Sequence, residues 1–201
     1  MNSFVIEPVE TEEQHAAASY VRTQVFEHEW GIRLPGLDFS DRERYQQLLA
    51  RVSLTGEPVG TLTLADTTGQ TRLHRQYGLA FEPNARVARY TRLAVIAAYR
   101  GLNLPLALVF QANWRFVAPG KFDYTWLLFD ASRAESSSFS RLLLFKASSD
   151  VLRTEYGLSR VLVRDERALT AMEVHTNGNS NHFTSMAAFA SREPSVAAMA
   201  R

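Results

Sequence analysis

Apolar positions recur along this chain with two periods, and the switch between them marks its elements. Ser3–Glu7 alternates as a short first strand. Thr11 is a natural helix N-cap, with Glu12 and Glu13 in the first turn, where the helix dipole favours acids. From His15 to Trp30 the apolar residues Ala18, Val21, Val25, Phe26 and Trp30 return mostly at intervals of three to four, which predicts an amphipathic helix. Residues 31–37, with Gly31, Pro35 and Gly36, break it. The polar stretch from Asp38 to Leu49 predicts a second helix starting near Ser40. Arg51–Leu54 and Pro58–Ala65 read as strands joined through Thr55-Gly56-Glu57. Residues 66–86 read as a long polar connection.

A strand over 87–96 follows, then a helix over 102–117 closed by Pro119-Gly120, then a buried-type strand from Tyr124 to Phe129. Ser136–Tyr156 reads as a helix stopped by Gly157, and Arg160–Val163 as a strand. After Ala171 the pattern fades. His175–His182 is loop-like, and Ser185–Arg201 is rich in alanine. The predicted order is β, α, α, β, β, β, α, β, α, β. Hairpin strands followed by strand–helix–strand crossovers place the chain in the α/β (α+β) class: one mixed central sheet with helices on both faces. The length of 201 residues predicts a single domain over 1–201, with residues from ~170 onward an irregular or helical extension.

Charge changes the picture locally. The net charge is only +1, so no global field draws the chain to nucleic acid. Between Arg72 and Lys121, however, there are eight cations and a single acid, Glu82, which predicts one positive face. The chain has no cysteine, which removes disulfides, thiolate nucleophiles and cysteine metal sites and fits a cytoplasmic setting. No signal-peptide pattern opens the sequence, and no apolar run reaches the ~18 residues of a membrane span. His175 and His182 lack acids at metal-ligand spacing, so no metal is expected.

The candidate chemistry centres on residues 89–101. A strand through Tyr90, Thr91, Leu93, Val95 and Ile96 breaks at Ala97–Ala98 and meets Tyr99-Arg100-Gly101 before an apolar helix. A strand, a basic turn and a helix N-terminus can together hold an anion. Arg92 stands inside the strand, where burial requires a partner: a structural salt bridge or a bound carrier. Phe26 and Trp30 lie one helical turn apart, as core or as pocket wall. Arg22 can hold a substrate carboxylate, or Asp38 and Asp41 in a bidentate pair. His28 and the flanking Glu27 and Glu29 are the candidates for a general base, against the plainer reading of a solvated helix turn. Leu104, Leu106, Leu108, Phe110, Trp126, Leu128 and Phe129 can wall an apolar slot or fill an ordinary core.

This order and these residues resemble the GCN5-related N-acyltransferase fold. The resemblance implies that main-chain groups of Leu93, Ala94 and Val95 polarise a thioester, and that Arg100, Gly101, Leu102 and Asn103 hold the donor's phosphate. Asn103 and Pro105 depart from the glycine-rich loop of that family, which argues against close wrapping of a pyrophosphate. In the N-terminal third, Arg22-x-x-x-Phe26, Trp30, Asp38, Asp41 and Tyr45, with the later Thr91–Val95, resemble acyl-homoserine-lactone synthases and the related long-chain N-acyl amino acid synthases. That branch implies Arg22, Phe26, Trp30, Asp38 and Asp41 on the substrate side, Arg92 on the donor side, and acyl carrier protein as partner. The donor would be an acyl-phosphopantetheine, on carrier protein or coenzyme A, with no tightly bound cofactor. Two residues depart from the autoinducer synthases. Arg89 replaces a glutamate, and Thr61-Leu62-Thr63 after Gly60 lacks an arginine, which turns the expectation from homoserine lactone toward acylation of another amine, such as an amino acid. The alternatives are a small-molecule N-acetyltransferase using acetyl-coenzyme A and a non-catalytic pantetheine-binding module.

Overall fold

The computed structural model describes residues 3–132, 143–148, 150–154 and 156–167. The chain divides after Glu166, and of the segment Arg167–Arg201 only Arg167 is described. The expectations for 170–201, including His175 and His182, therefore lie outside the described residues, as do Ser136–Leu142.

Among the described residues, eight strands form one mixed sheet in the order β1-β2-β3-β4-β5-β8-β6, with β7 also paired to β8. They are β1 (Phe4–Pro8), β2 (Tyr45–Val52), β3 (Pro58–Asp66), β4 (Val87–Val95), β5 (Tyr124–Asp130), β6 (Lys146–Ala147), β7 (Leu152–Thr154) and β8 (Gly157–Asp165). All pairs are antiparallel except β4 with β5.

The first helix, α1 (Glu12–Arg22), starts in a capping box. Gln14 N donates to Thr11 Oγ1, and the Gln14 side chain accepts from Thr11 N. It widens into a π-helical stretch over Thr23–Glu29, where Trp30 N donates to Val25 O five residues back. A short α2 (Thr71–Gln76) lies inside what the sequence presents as connection. The post-motif helix begins as a 3₁₀ turn over Ala97–Leu102, becomes α3 (Leu104–Ala112) and continues as a π turn over Asn113–Val117.

Successive side chains of the central strands enter opposite layers. Leu62 and Leu64 of β3 pack with Leu104 and Leu108 of α3. Ala94 of β4 packs on the opposite face with Val21, Val25 and Phe26 of the first helix. Helices thus cover both faces. Gly60 is the close approach that lets α3 settle, since a Cβ there would stand 3.2 Å from Leu108 Cδ1 and 3.3 Å from Leu104 Cδ2.

Two predicted helices are corrected. Near Ser40 there is only a 3₁₀ turn, Phe39–Asp41, and β2 begins at Tyr45 rather than Arg51. Leu48, Leu49 and Ala50 are all buried because β2 is covered on both faces, and such a continuous run carries no period of two. The described part of the predicted 136–156 helix holds β6 and β7 instead. Leu144 takes φ +58° in a turn, which ends any helix there and leaves Leu143 and Phe145 buried on either side of it.

Candidate active site

The site begins where β4 loses regular pairing. Against β3, Thr61 stands opposite Ala94 but Thr63 opposite Thr91, so three β4 steps face two β3 steps. The extra residue is a bulge, and Arg92 within it takes φ +54°, a left-handed conformation unusual for a non-glycine residue. On its other side β4 pairs with β5 over Val87–Tyr90 only. Thr91–Val95 therefore have no ladder partner on the β5 side, and the two parallel strands part there. Ile96 N donates to Val59 O at 2.9 Å, so Ile96 faces β3. Alternation then turns the Val95 N–H and C=O toward the opened side. The carbonyl is occupied: Arg100 Nε donates to it at 2.9 Å. The N–H has no partner in the ladder on that side.

Arg100 closes the mouth of the gap. Its two terminal nitrogens donate to the two Glu29 oxygens at 2.5 Å each, a fork-to-fork pair. Trp30 Nε1 donates to Glu29 Oε1 at 3.1 Å, and the Arg100 guanidinium lies 5.9 Å from the Trp30 ring. Trp30 in turn meets Phe26 edge-on at 5.2 Å between centroids. The Arg100 hydrogen bond holds the Glu29 carboxyl below its ordinary range. Both side chains are more than a third exposed, so the pair contributes little to stability and is free to exchange.

Asn103 takes φ +58° where the 3₁₀ turn passes into α3. Asparagine tolerates that conformation better than most residues, so the turn survives without glycine. Leu102 is exposed beside it. Tyr99 is directed away: its hydroxyl donates to Glu57 Oε2 at 3.1 Å, and its ring packs edge-on to Phe4.

Arg22 is buried, with 8% of its surface exposed. It does not hold Asp38 and Asp41, as one sequence reading expected. It donates to Gln47 Oε1 and to Ser19 Oγ, each at 2.6 Å. Burial first, and Arg92 second, lower its pKa to about 10. A base whose pKa falls on folding opposes folding at neutral pH, here by about 3 kcal/mol, and the penalty relaxes only as pH rises past the folded value. Arg92 is itself lowered by burial. The expected salt bridge for Arg92 is absent among the described residues.

Asp38 accepts from Ser40 N at 2.8 Å, which lowers its pKa, and both Asp38 and Asp41 are exposed. Glu27 is half-buried and His28 exposed, and neither side chain makes a hydrogen bond or ion pair among the described residues. Of the expected slot residues, Leu104, Leu108 and Trp126 are fully buried core, while Leu106, Phe110 and Phe129 are half-buried at its margin. The fold thus joins Phe26, Trp30, Glu29 and Arg100 in one contact chain and sets Arg22 near Arg92. It leaves Asp38 and Asp41 apart from both. Gln47, which holds Arg22 and also approaches His15 Nδ1 at 3.3 Å, was not singled out from sequence because a lone strand glutamine carries no motif.

No family model and no curated sequence matches the chain. Solved structures do. The fold is shared with Arabidopsis thaliana NAA60 in complex with acetyl-CoA (TM-score 0.62, 11% identity, covering 82% of this chain and 99% of that one). It is shared with FeeM, an N-acyl amino acid synthase from uncultured soil microbes (TM-score 0.60, 12% identity, covering 82% and 91%). The acyl-homoserine-lactone synthase LasI is similar at TM-score 0.58 and 13% identity, covering 82% and 91%. Identity this low speaks for architecture alone, and with the parted strands and the bulge it leads to one conclusion: the chain has the GCN5-related N-acyltransferase fold.

Proposed function

We propose that the protein is an N-acyltransferase that moves a fatty acyl group from a pantetheine thioester, on acyl carrier protein or coenzyme A, to the amino group of an amino acid. The observation that carries this reading is the unpaired β4 edge over Thr91–Val95, with the Val95 N–H facing the opening. A pantetheine arm has amides of its own and can take the place of the missing strand partner. In the reaction the amine nitrogen attacks the thioester carbonyl carbon and an oxyanion forms. The C–S bond then breaks, the amide remains on the acceptor, and the thiol leaves with the proton lost from the amine. A preorganised N–H at Val95 stabilises the oxyanion by about 3 kcal/mol.

The Arg100 fork already grips a carboxylate in a partly exposed pair, and a phosphate oxygen pair fits the same fork. Glu29 is then the counter-ion that the donor displaces. Arg100→Ala is expected to weaken donor binding by about tenfold and to flatten its salt dependence. Calorimetric titration with an acyl carrier protein at two ionic strengths checks this, and an unchanged salt slope would remove Arg100 from donor binding. Trp30 is half exposed and seated between Phe26 and Arg100. Trp30→Ala is expected to cost less than about 1 kcal/mol of stability while raising a substrate KM several-fold. A stability loss with normal kinetics would return Trp30 to the core.

The direct test of the reading is mass spectrometry of lipids from cells expressing the chain, with thiol release measured in parallel. New N-acyl amino acids support it. Short-chain acetyl products would favour the acetyl-coenzyme A alternative, which the acetyl-CoA-bound structural neighbour keeps in view. Carrier binding without product under any amine would favour a pantetheine-binding module.

A further inference from the structure

The sheet face beneath α1 carries a cationic cluster that nothing in the described chain neutralises. Strand register sets it out in rows. Gln47, Thr63 and Thr91 stand side by side on β2, β3 and β4. Tyr45, Ala65 and Arg89 form the next row, and Arg89 lies opposite Trp126 on β5. On the other flank Leu49, Thr61 and Ala94 form the floor under α1. Arg92 interrupts this pattern as the bulge residue beside Thr91. Arg22 comes down from α1 and bonds to Gln47, the first member of the polar row.

Three observations converge on this face. Among the described residues, no carboxylate pairs with Arg22, Arg89 or Arg92, although every one of them is at least half-buried. Arg89 is held among aromatic rings, its guanidinium 4.6 Å from the Trp126 ring and 5.2 Å from that of Tyr77. Arg89 Nε and the hydroxyl of fully buried Thr63 are sequestered with no hydrogen-bond partner. A cluster serving stability alone would be paired, because unmatched buried charge and unmade hydrogen bonds both oppose folding. Like charges kept together without a counter-ion mark a place where a ligand supplies one.

We propose that Arg22, Arg89 and Arg92 bind a doubly anionic acceptor, an amino acid with a second carboxylate on its side chain, and that the Thr63 hydroxyl donates to it. This rests on the acyl-transfer reading for the identity of the amine as acceptor. The α-carboxylate pairs with Arg22 and Arg92. That directs the α-amino group toward Leu93–Val95, where the thioester lies. Arg89, three residues back along β4 and roughly 10 Å away at the strand rise, takes the side-chain carboxylate. Arg89 is then a specificity device for an acidic acceptor.

The experiment has a binding arm and a turnover arm. The full chain without donor is titrated calorimetrically with glutamate, glutamine and inorganic phosphate. Transfer from an acyl carrier thioester is then compared for glutamate and glutamine. Glutamate is expected to bind about tenfold more tightly than glutamine, and to exceed it about 30-fold in kcat/KM, the range of one or two charge-assisted hydrogen bonds. Arg89→Gln should bring that ratio below about threefold, while Arg89→Lys keeps part of it. Equal use of glutamate and glutamine would overturn the proposal and leave acyl transfer intact. Binding of phosphate with none of either amino acid would also overturn it. Tight glutamate binding with no transfer from any thioester would keep the anion site and end the acyltransferase reading instead.

Discussion

Val95→Pro is expected to keep the fold and lower kcat about 100-fold, the effect of removing one oxyanion donor. Proline removes the backbone N–H and fixes φ at about −65°, and at this position the N–H faces the gap rather than the ladder with β3. A strand edge tolerates proline where the N–H has no partner to lose, and Ala94 before it is already extended, as proline requires. The side-chain volume is nearly kept, so the core around Val95 stays filled. Val95→Ala is the crossed control. It keeps the N–H but empties part of a buried site, so it should lose roughly 1–3 kcal/mol of stability and still turn over. Thiol release and thermal unfolding measured on both variants separate the two effects. If the proline variant retains turnover within about threefold, the oxyanion donor is not at Val95.

Arg164→Met should be the most destabilising of the substitutions considered, by about 3–5 kcal/mol. Arg164 on β8 is only 4% exposed and fully engaged. Its Nε donates to Glu166 at 2.7 Å, Nη1 to Leu143 O at 3.2 Å, and Nη2 to Asn113 Oδ1 at 2.6 Å and the Tyr90 hydroxyl at 3.3 Å. Its guanidinium also lies 4.9 Å from the Phe145 ring. Burial works against its charge, but Tyr90 and Glu166 outweigh it, and its pKa rises. Methionine fills the volume but removes the charged donor to Glu166, Leu143 O and Asn113 at once. The consequence reaches function because Tyr90 is the last β4 residue paired with β5. Arg164 clamps the sheet at the point where the gap opens. Urea unfolding gives the loss directly, and a change under about 1 kcal/mol would mean that the network is replaceable.

These two arginine environments explain why one cluster reads as architecture and the other as a site. Arg164 has a carboxylate, a carbonyl, an amide and a phenol around it, so its burial is compensated. Arg22 is similarly buried but has only two neutral acceptors and a second arginine nearby, so its pKa falls rather than rises. Arg22 belongs to a recognisable spacing with Phe26, whereas Arg164 sits in an ordinary strand with no motif.

Legible in the sequence alone were the segments whose period was clear: the helix from the Thr11 cap, strand β3, and the strand–turn–helix run through Arg100. In each, local chemistry and burial pattern point the same way, so no distant contact is needed to choose. The residues of the candidate site around Arg100 were legible there too. The tertiary structure decided the rest. Whether 43–50 formed helix or strand depended on both faces of β2 being covered, which no local period records. The placement of Glu29 on Arg100, 71 residues away, and of Gln47 under Arg22 came from packing the first helix across the sheet. Above all, the gap at β4 exists because a bulge at Arg92 and a crossover through α3 carry two parallel strands apart after four paired residues. Hydrogen-bond pairing between distant segments is a property of register, and register is fixed only when the whole sheet is assembled.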